Sequence, residues 1–170
     1  MTGIKMLGAM MLIICGSLGG IYKSEIIKKQ VKFLKEYIVF MTQAETMISY
    51  CGLDISQILR NTKSLTLINN MFDDCLKSMK NGEDFCNSWC YAVQAAYNRK
   101  EIRKCDCSMI CSFAETFGVS GIEEEIGKIQ MHKSIAKKVY EQQNMEIKSK
   151  TALCRTIGIF FGTMAAIILV

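Results

Sequence analysis

The sequence predicts an all-α protein, a helical bundle of about six helices in which the first and last are long and continue into apolar segments. The chain of 170 residues contains no proline, so no obligatory helix breaker interrupts it. Apolar residues recur three or four positions apart through the middle of the chain, which is the helical period. Half of all residues are apolar, and the uncharged apolar runs lie at the two ends.

The first element is an uncharged apolar run from Met6 to Tyr22. A helix over this run would rise about 25 Å, close to the ~30 Å hydrocarbon core of a bilayer. A secretory signal peptide is the alternative, because Lys5 precedes the run and Ser17-Leu18-Gly19 resembles a weak cleavage site. We expect an uncleaved N-terminal transmembrane segment over residues 1–22.

The last element is a second apolar run, from Thr156 to Val170. A helix over this run would rise only about 22 Å. The membrane segment can start earlier, at Ala152, if the Arg155 side chain reaches the lipid headgroups with its charge. The alternative is a buried C-terminal helix of a soluble domain. Because the run is apolar on every face, we expect a C-terminal transmembrane segment over residues 152–170.

Small residues recur four positions apart in both apolar runs. This spacing puts them on one helix face and lets two helices approach closely in lipid. The alternative is that glycine is simply frequent in membrane helices. The residues predicted to pack the two membrane helices together are Gly16, Gly20, Gly158, Gly162 and Ala166.

Basic residues flank the inner ends of both apolar runs, as Lys23, Lys28, Lys29, Lys32 and Lys35 after the first and Lys148, Lys150 and Arg155 before the last. By the positive-inside rule, residues 23–151 form a cytoplasmic domain and both termini face outward. The net charge of +5 fits a membrane surface. It does not indicate nucleic-acid binding, since no platform of aromatic and arginine residues accompanies it.

The middle of the chain divides into helices at recognisable caps and stops. Asp54 and Ser64 are suited to begin helices, Gly52 to end one, and Ser120 with Glu123 forms a capping box. Glu36 and Glu45 fall off the apolar stripe of the first helix. The predicted helices are Ser24–Tyr50, Asp54–Arg60, Ser64–Asn81, Glu83–Lys100, Asp106–Phe117 and a last helix from Ser120 into the C-terminal run.

Nine cysteines are many for this length. Setting aside Cys15 and Cys154 in or beside the apolar runs leaves an odd number, which fits a closed disulfide framework poorly and indicates reduced thiols in the cytosol. Cysteines four apart on a helix could bind zinc or an iron–sulfur cluster, but small core residues are the alternative that we favour. We expect no cofactor, and the metal-ligand candidates are Cys86, Cys90, Cys105, Cys107 and Cys111.

The sequence carries no catalytic signature, so we expect neither an enzyme nor a small-molecule substrate. The single histidine, His132, lacks a triad pattern and is interpreted as a helix-surface residue. No glycine-rich phosphate loop follows a strand. Trp89 lies on the apolar side of its helix and is expected in the core. The candidates for a docking surface are Tyr91, Tyr97, Glu123 and Glu124.

Four stretches, in this order, resemble the stage III sporulation protein AB family of endospore-forming bacteria, and the likeness covers nearly the whole chain. Gly121 and Glu125 stand where the family commonly has Asp and Gln, so no role is carried over to those two positions. The stretches are Lys5-Met6-Leu7-Gly8-Ala9, Ala44-Glu45-Thr46-Met47-Ile48-Ser49-Tyr50, Phe113-Ala114-Glu115-Thr116-Phe117-Gly118 and Gly158-Ile159-Phe160-Phe161-Gly162 up to Val170.

The resemblance implies a non-enzymatic, membrane-anchored scaffold of the channel assembly between mother cell and forespore. It implies a cytoplasmic domain similar in fold to the helical domains of type II secretion and type IV pilus inner-membrane platform proteins. Its partners would be the lipid bilayer, the sporulation ATPase called AA and other stage III sporulation membrane proteins, in the mother-cell membrane around the forespore.

Two alternatives stand beside this function. One is a platform or anchor protein of a vegetative secretion or pilus-like system. The other is a membrane-tethered thiol or metal sensor that uses Cys105, Cys107 and Cys111.

Overall fold

A computed structural model of the chain describes residues 2–62, 65–116 and 121–169, and all regular structure among them is helical. The all-α prediction is therefore confirmed, with long first and last helices and four shorter ones between. The helices are α1 Thr2–Cys51, α2 Ile55–Asn61, α3 Ile68–Lys80, α4 Phe85–Asn98, α5 Lys104–Ser112 and α6 Ile122–Leu169, with a 3₁₀ turn at Ala114–Thr116.

The chain divides into two compact units. The terminal unit comprises Met1–Lys29 and Gln142–Val170, and the central unit comprises Gln30–Glu141. Most side chains of the predicted spans, residues 1–22 and 152–170, lie outside the described residues. Within the described part of the chain, no helix combines the length and apolar character needed to cross a bilayer. Both spans, and the boundaries that follow from them, stay predictions.

Aromatic side chains from four elements form the centre of the core in the central unit. The ring of Phe40 on α1 lies 4.7 Å from Phe72 on α3, 6.0 Å from Trp89 on α4 and 5.8 Å from Phe113 after α5, between ring centroids. The indole N–H of Trp89 donates a hydrogen bond of 2.7 Å to the carbonyl of Ile110. The prediction that Trp89 belongs to the core is confirmed.

The turn between α1 and α2 follows the sequence signals. Gly52 has φ +56°, the left-handed conformation that glycine adopts without steric cost, and its N–H donates to the carbonyl of Ile48 at 3.2 Å. The Asp54 carboxylate accepts from the backbone N–H of Ser56 at 3.3 Å. Both the predicted stop and the predicted cap are confirmed.

The start of α3 differs from the prediction. Ser64 lies outside the described residues, and α3 begins only at Ile68. Its first free N–H groups are capped by a side chain from another helix, Glu36 of α1. The carboxylate of Glu36 accepts from the N–H of Leu67 at 2.8 Å and of Ile68 at 3.2 Å, and from the Thr66 hydroxyl at 3.0 Å. Glu36 is buried for this reason, although it falls off the apolar stripe.

Two further helix starts also differ from the predictions. The start at Asp106 is wrong: α5 begins at Lys104, and the buried Asp106 carboxylate accepts two hydrogen bonds of 2.9 Å from the guanidinium of Arg103. The helix ends at Ser112, before the predicted end at Phe117. Ser120 lies outside the described residues, and α6 begins at Ile122.

Candidate docking surface

The predicted docking residues occupy two helices of the central unit. Tyr91 on α4 is 63% exposed and Tyr97 on the same helix is partly exposed. Glu123 and Glu124 are exposed in the first turn of α6, where Glu124 also pairs with Lys128 at 2.9 Å. Their exposure fits a docking role, and the role itself stays a prediction.

A groove that the sequence did not predict lies between α2 and α3, with a volume of about 630 Å³. Its apolar wall is formed by Leu59 and Phe72, each 2% exposed, together with the partly buried Leu76. Such a wall lets an apolar group of a partner leave water, while the exposed rim remains in contact with solvent.

Three cations and one carboxylate line the rim of this groove. Arg60 comes from the last turn of α2, Lys77 and Lys80 come from the last turn of α3, and all three are exposed. Within the described part of the chain, none of these three cations forms an ion pair. Asp73 is the carboxylate of this lining, so the three cations outnumber it and the rim carries a net positive charge. We call these residues the basic groove.

A second, smaller cavity of about 310 Å³ lies beside the first turn of α2. It carries the carboxylates of Asp54 and Glu125. We call it the acidic pocket, and its remaining lining is Leu53, Ile55, Ser56, Met79 and Phe85. The basic groove and the acidic pocket thus share α2, whose last turn borders the one and whose first turn borders the other.

Ion pairs join α3 to the connection between α4 and α5. Arg99, which follows α4, donates to Asp74 of α3 at 2.6 Å and to Glu101 at 3.0 Å. Glu101 is only 2% exposed, so this guanidinium provides the charge partner that a buried carboxylate requires. Together with the cap from Glu36, this pairing positions α3.

The structure brings together some of the metal-ligand candidates but not all. Cys90 lies within hydrogen-bonding distance of both Cys86 and Cys111, which joins α4 to α5. Cys105 is exposed, and its thiol contacts Asp106 at 3.6 Å. Among the residues described, no group of three or more His, Cys, Asp or Glu side chains is arranged to hold a metal ion.

Burial determines the acid–base state of the clustered thiols. Burial, followed by hydrogen bonding and charge interaction with Cys90, raises the pKa of Cys111 to about 12. Burial also raises the pKa of Cys86 and of Cys107. At neutral pH these groups are protonated thiols, and the thiolate is the form that binds metals and attacks disulfides.

The interpretation of His132 as a surface residue is wrong. It is 6% exposed and its ring makes an edge-on contact with Phe113, with centroids 6.0 Å apart. Burial lowers its pKa, and the charge of Glu115 partly opposes that shift. The apolar face of α6 also carries Ile129, so the histidine, three positions on, faces the same core.

A further interhelical link joins α1 to α6 at Glu45. Its carboxylate accepts hydrogen bonds from Lys133 and, at 2.7 Å, from the side-chain amide of Gln130. The hydrogen bond from Lys133 is the largest cause of the lowered pKa of Glu45. Glu45, off the apolar stripe of α1, therefore contributes to the fold through charge.

The predicted membrane-packing residues all lie in the terminal helices. Gly20 is within α1 and partly exposed. The side-chain positions of the other four lie outside the described residues, namely Gly16, Gly158, Gly162 and Ala166.

Comparison with known proteins identifies the family. Residues 5–170 match the family model of stage III sporulation protein AB. The chain belongs to the stage III sporulation protein AB family. The resemblance predicted from four short stretches is thereby confirmed over nearly the whole chain. Neither a curated protein nor a solved structure matches the sequence.

Membership of the stage III sporulation protein AB family indicates a role related to sporulation. The family is not a known enzyme family.

The basic groove and the acidic pocket could have been predicted from the sequence only in part. The basic residues at the ends of α2 and α3 are visible in the sequence, but the packing of these helices side by side is not.

Proposed function

We propose that this chain is a non-enzymatic, membrane-anchored scaffold in the channel assembly between mother cell and forespore. It docks a secretion-type ATPase, the sporulation ATPase AA, at the mother-cell membrane around the forespore. Other stage III sporulation membrane proteins are its further partners. The family match over residues 5–170 is the observation that carries the proposal, and it favours sporulation over a vegetative secretion or pilus-like system.

Exposed apolar side chains in the terminal unit support the membrane anchor. They include Met11 at 66% exposure and Phe160 at 65%, and such surfaces are typical of contact with lipid or another protein. The exposed Lys23 and Lys28 follow the first run on α1, where cations meet headgroups. The other exposed large apolar side chains among the described residues of this unit are Leu18, Ile21, Tyr22, Met145, Leu153 and Met164.

The chemistry of the central unit supports a scaffold more than a thiol or metal sensor. Sensor cysteines act as thiolates, whereas burial raises the pKa of Cys111 to about 12 and also raises that of Cys107. Only Cys105 of the three proposed sensor residues is exposed. Replacing all three with alanine would therefore alter stability and leave the sporulation phenotype largely intact.

The docking function is tested with the full chain in detergent micelles and the purified ATPase AA. Co-purification of the two proteins is expected, and the double variants Y91A/Y97A and E123A/E124A should each weaken it. Tyr50→Ala is the matched control, because Tyr50 is 86% exposed at the end of α1 and outside the predicted surface. Absence of any complex with the wild-type chain would contradict the proposal.

The anchor and the sporulation role have separate tests. The full-length chain is expected in the membrane pellet after ultracentrifugation and should stay there after an alkaline wash. Recovery of the chain in the supernatant without detergent would contradict the anchor. Expression confined to sporulating cells is expected, and expression throughout vegetative growth would favour the platform of a secretion or pilus-like system.

A further inference from the structure

We propose that two copies of this chain associate about a two-fold axis that passes beside α2. In this pair, the acidic pocket of each copy faces the basic groove of the other. The proposal goes beyond the docking function and does not depend on it. It rests on the distribution of charge along α2 and on the two cavities that border this helix.

The exposed face of α2 carries opposite charges at its two ends. Asp54, Gln57 and Arg60 are all exposed and are spaced three residues apart, so they lie along one side of the helix. The order along the face is acidic, neutral, basic. Two such faces packed antiparallel bring Asp54 of each copy to Arg60 of the other, with the two Gln57 side chains at the axis.

The surroundings of α2 extend the same separation of charge. Beside Arg60 stand Lys77 and Lys80 in the basic groove, and beside Asp54 stands Glu125 in the acidic pocket. Within the described residues, the three cations form no ion pair in the single chain. They are therefore available to a carboxylate from outside.

The cavities add apolar surface to this electrostatic match. The basic groove of about 630 Å³ has Leu59, Phe72 and Leu76 in its wall, and the acidic pocket of about 310 Å³ has Ile55 and Phe85. Removing such surfaces from water provides affinity, while the charges at the rim determine orientation. An interface with an apolar centre and a charged rim is common between protein subunits.

A second copy fits this surface better than an unrelated partner because both signs of charge occur on one face in a reversible order. A two-fold interface requires a self-complementary surface, in which residue i contacts j and residue j contacts i. An acidic partner would require only the basic groove and would make no contact with the acidic pocket. The cavities at the two ends of α2 satisfy the two-fold requirement.

The pair is tested by sedimentation velocity on the full chain in detergent micelles. The wild-type chain is expected as a two-copy species. The variant R60E/K77E reverses the basic groove, and the variant D54N/E125K reverses the acidic pocket while asparagine retains the helix cap. Each variant alone should raise the dissociation constant by about tenfold or more. The control K104E/K137E makes the same change in net charge as R60E/K77E, on exposed lysines outside both cavities, and should behave as wild type.

Mixing the two variants provides the decisive measurement. In an equimolar mixture, each reversed surface meets its complement, so a mixed pair of one copy of each variant should form again. This restoration also shows that both variants are folded. A wild-type chain that sediments as a single copy at every concentration would overturn the proposal. So would a pair that both variants leave unchanged, or two variants that fail to combine although each retains the wild-type circular dichroism spectrum.

Discussion

Glu36 and Arg60 are both charged residues of the central unit, and the structure uses them in opposite ways. Glu36 is 8% exposed and accepts hydrogen bonds from two backbone N–H groups and one hydroxyl at the start of α3. Arg60 is exposed at the rim of the basic groove and forms no ion pair with a described residue. The first charge holds the fold together, and the second remains available to a partner.

The same contrast separates two sets of polar side chains in the central unit. Trp89, Glu36 and Glu45 each join two different helices, so their removal leaves donors or acceptors without partners. Arg60, Lys77 and Lys80 join nothing within the described chain. We therefore expect substitutions in the first set to lower stability and substitutions in the second set to weaken the proposed association.

The largest effect is expected at the centre of the aromatic core. Trp89→Ala should lower the free energy of unfolding by about 3–5 kcal/mol, because it opens a cavity and leaves the Ile110 carbonyl without its donor. Chemical unfolding followed by circular dichroism measures the change. The control Tyr91→Ala removes an exposed aromatic from the same helix and should cost about 0.5 kcal/mol or less. Equal costs for the two would contradict the assignment of Trp89 to the core.

A smaller loss is expected at the cap of α3. Glu36→Gln should lower the free energy of unfolding by about 1–3 kcal/mol, since an uncharged amide cannot accept all three hydrogen bonds of the carboxylate. The emission of Trp89, the single tryptophan, reports unfolding of the central unit. Glu25→Gln is the matched control, because Glu25 is exposed and pairs with Lys28 of its own helix. Its cost should be about 0.5 kcal/mol or less.

The link at Glu45 should appear as a dependence of stability on pH. Its pKa is lowered in the folded chain from the ordinary value of 4.5, so its contribution is fully present above pH 4.5 and is lost as pH falls through the folded pKa. Glu45→Gln should cost about 0.5–1 kcal/mol at pH 7 and progressively less in acid. Unfolding midpoints of both chains across this pH range measure the difference. A difference that stays constant with pH would contradict the assigned ion pair with Lys133.

The smallest effect on stability is expected at the basic groove. Arg60→Gln should change the free energy of unfolding by about 0.5 kcal/mol or less, because Arg60 joins no other element. The same substitution should nevertheless weaken the proposed pair of chains, which sedimentation velocity detects. Arg60→Gln and Glu36→Gln each replace one charged side chain by glutamine, and the two charges removed have opposite signs. A cost as large as that of Glu36→Gln would show that Arg60 belongs to the fold.

Local signals predicted the parts of this fold that depend on nearby residues. The helical period predicted an all-α chain, Gly52 predicted the end of α1 and Asp54 predicted the start of α2. Each of these features depends on backbone preferences and on hydrogen bonds between residues a few positions apart. The apolar neighbours of Trp89 on α4 likewise predicted its place in the core, although its hydrogen-bond partner, Ile110, lies on another helix.

Signals of this kind failed where a distant residue supplied the partner. The start of α3 is set by Glu36, which is about thirty positions earlier in the chain. His132 is buried because Phe113, nineteen positions earlier, lies against it. Nothing local distinguishes such a polar side chain from one that faces water, since burial depends on which helices become neighbours.

By itself, the sequence determined the helices, their approximate order and ends, the apolar character of the two chain ends and the family. These properties depend on residues that are close together in the sequence, so they do not require knowledge of how distant parts of the chain pack. Only the tertiary structure decided which charged side chains form hydrogen bonds and ion pairs within the fold and which border the basic groove and the acidic pocket. Packing brings distant side chains to hydrogen-bonding distance, and their distance in space has no fixed relation to their separation in the chain.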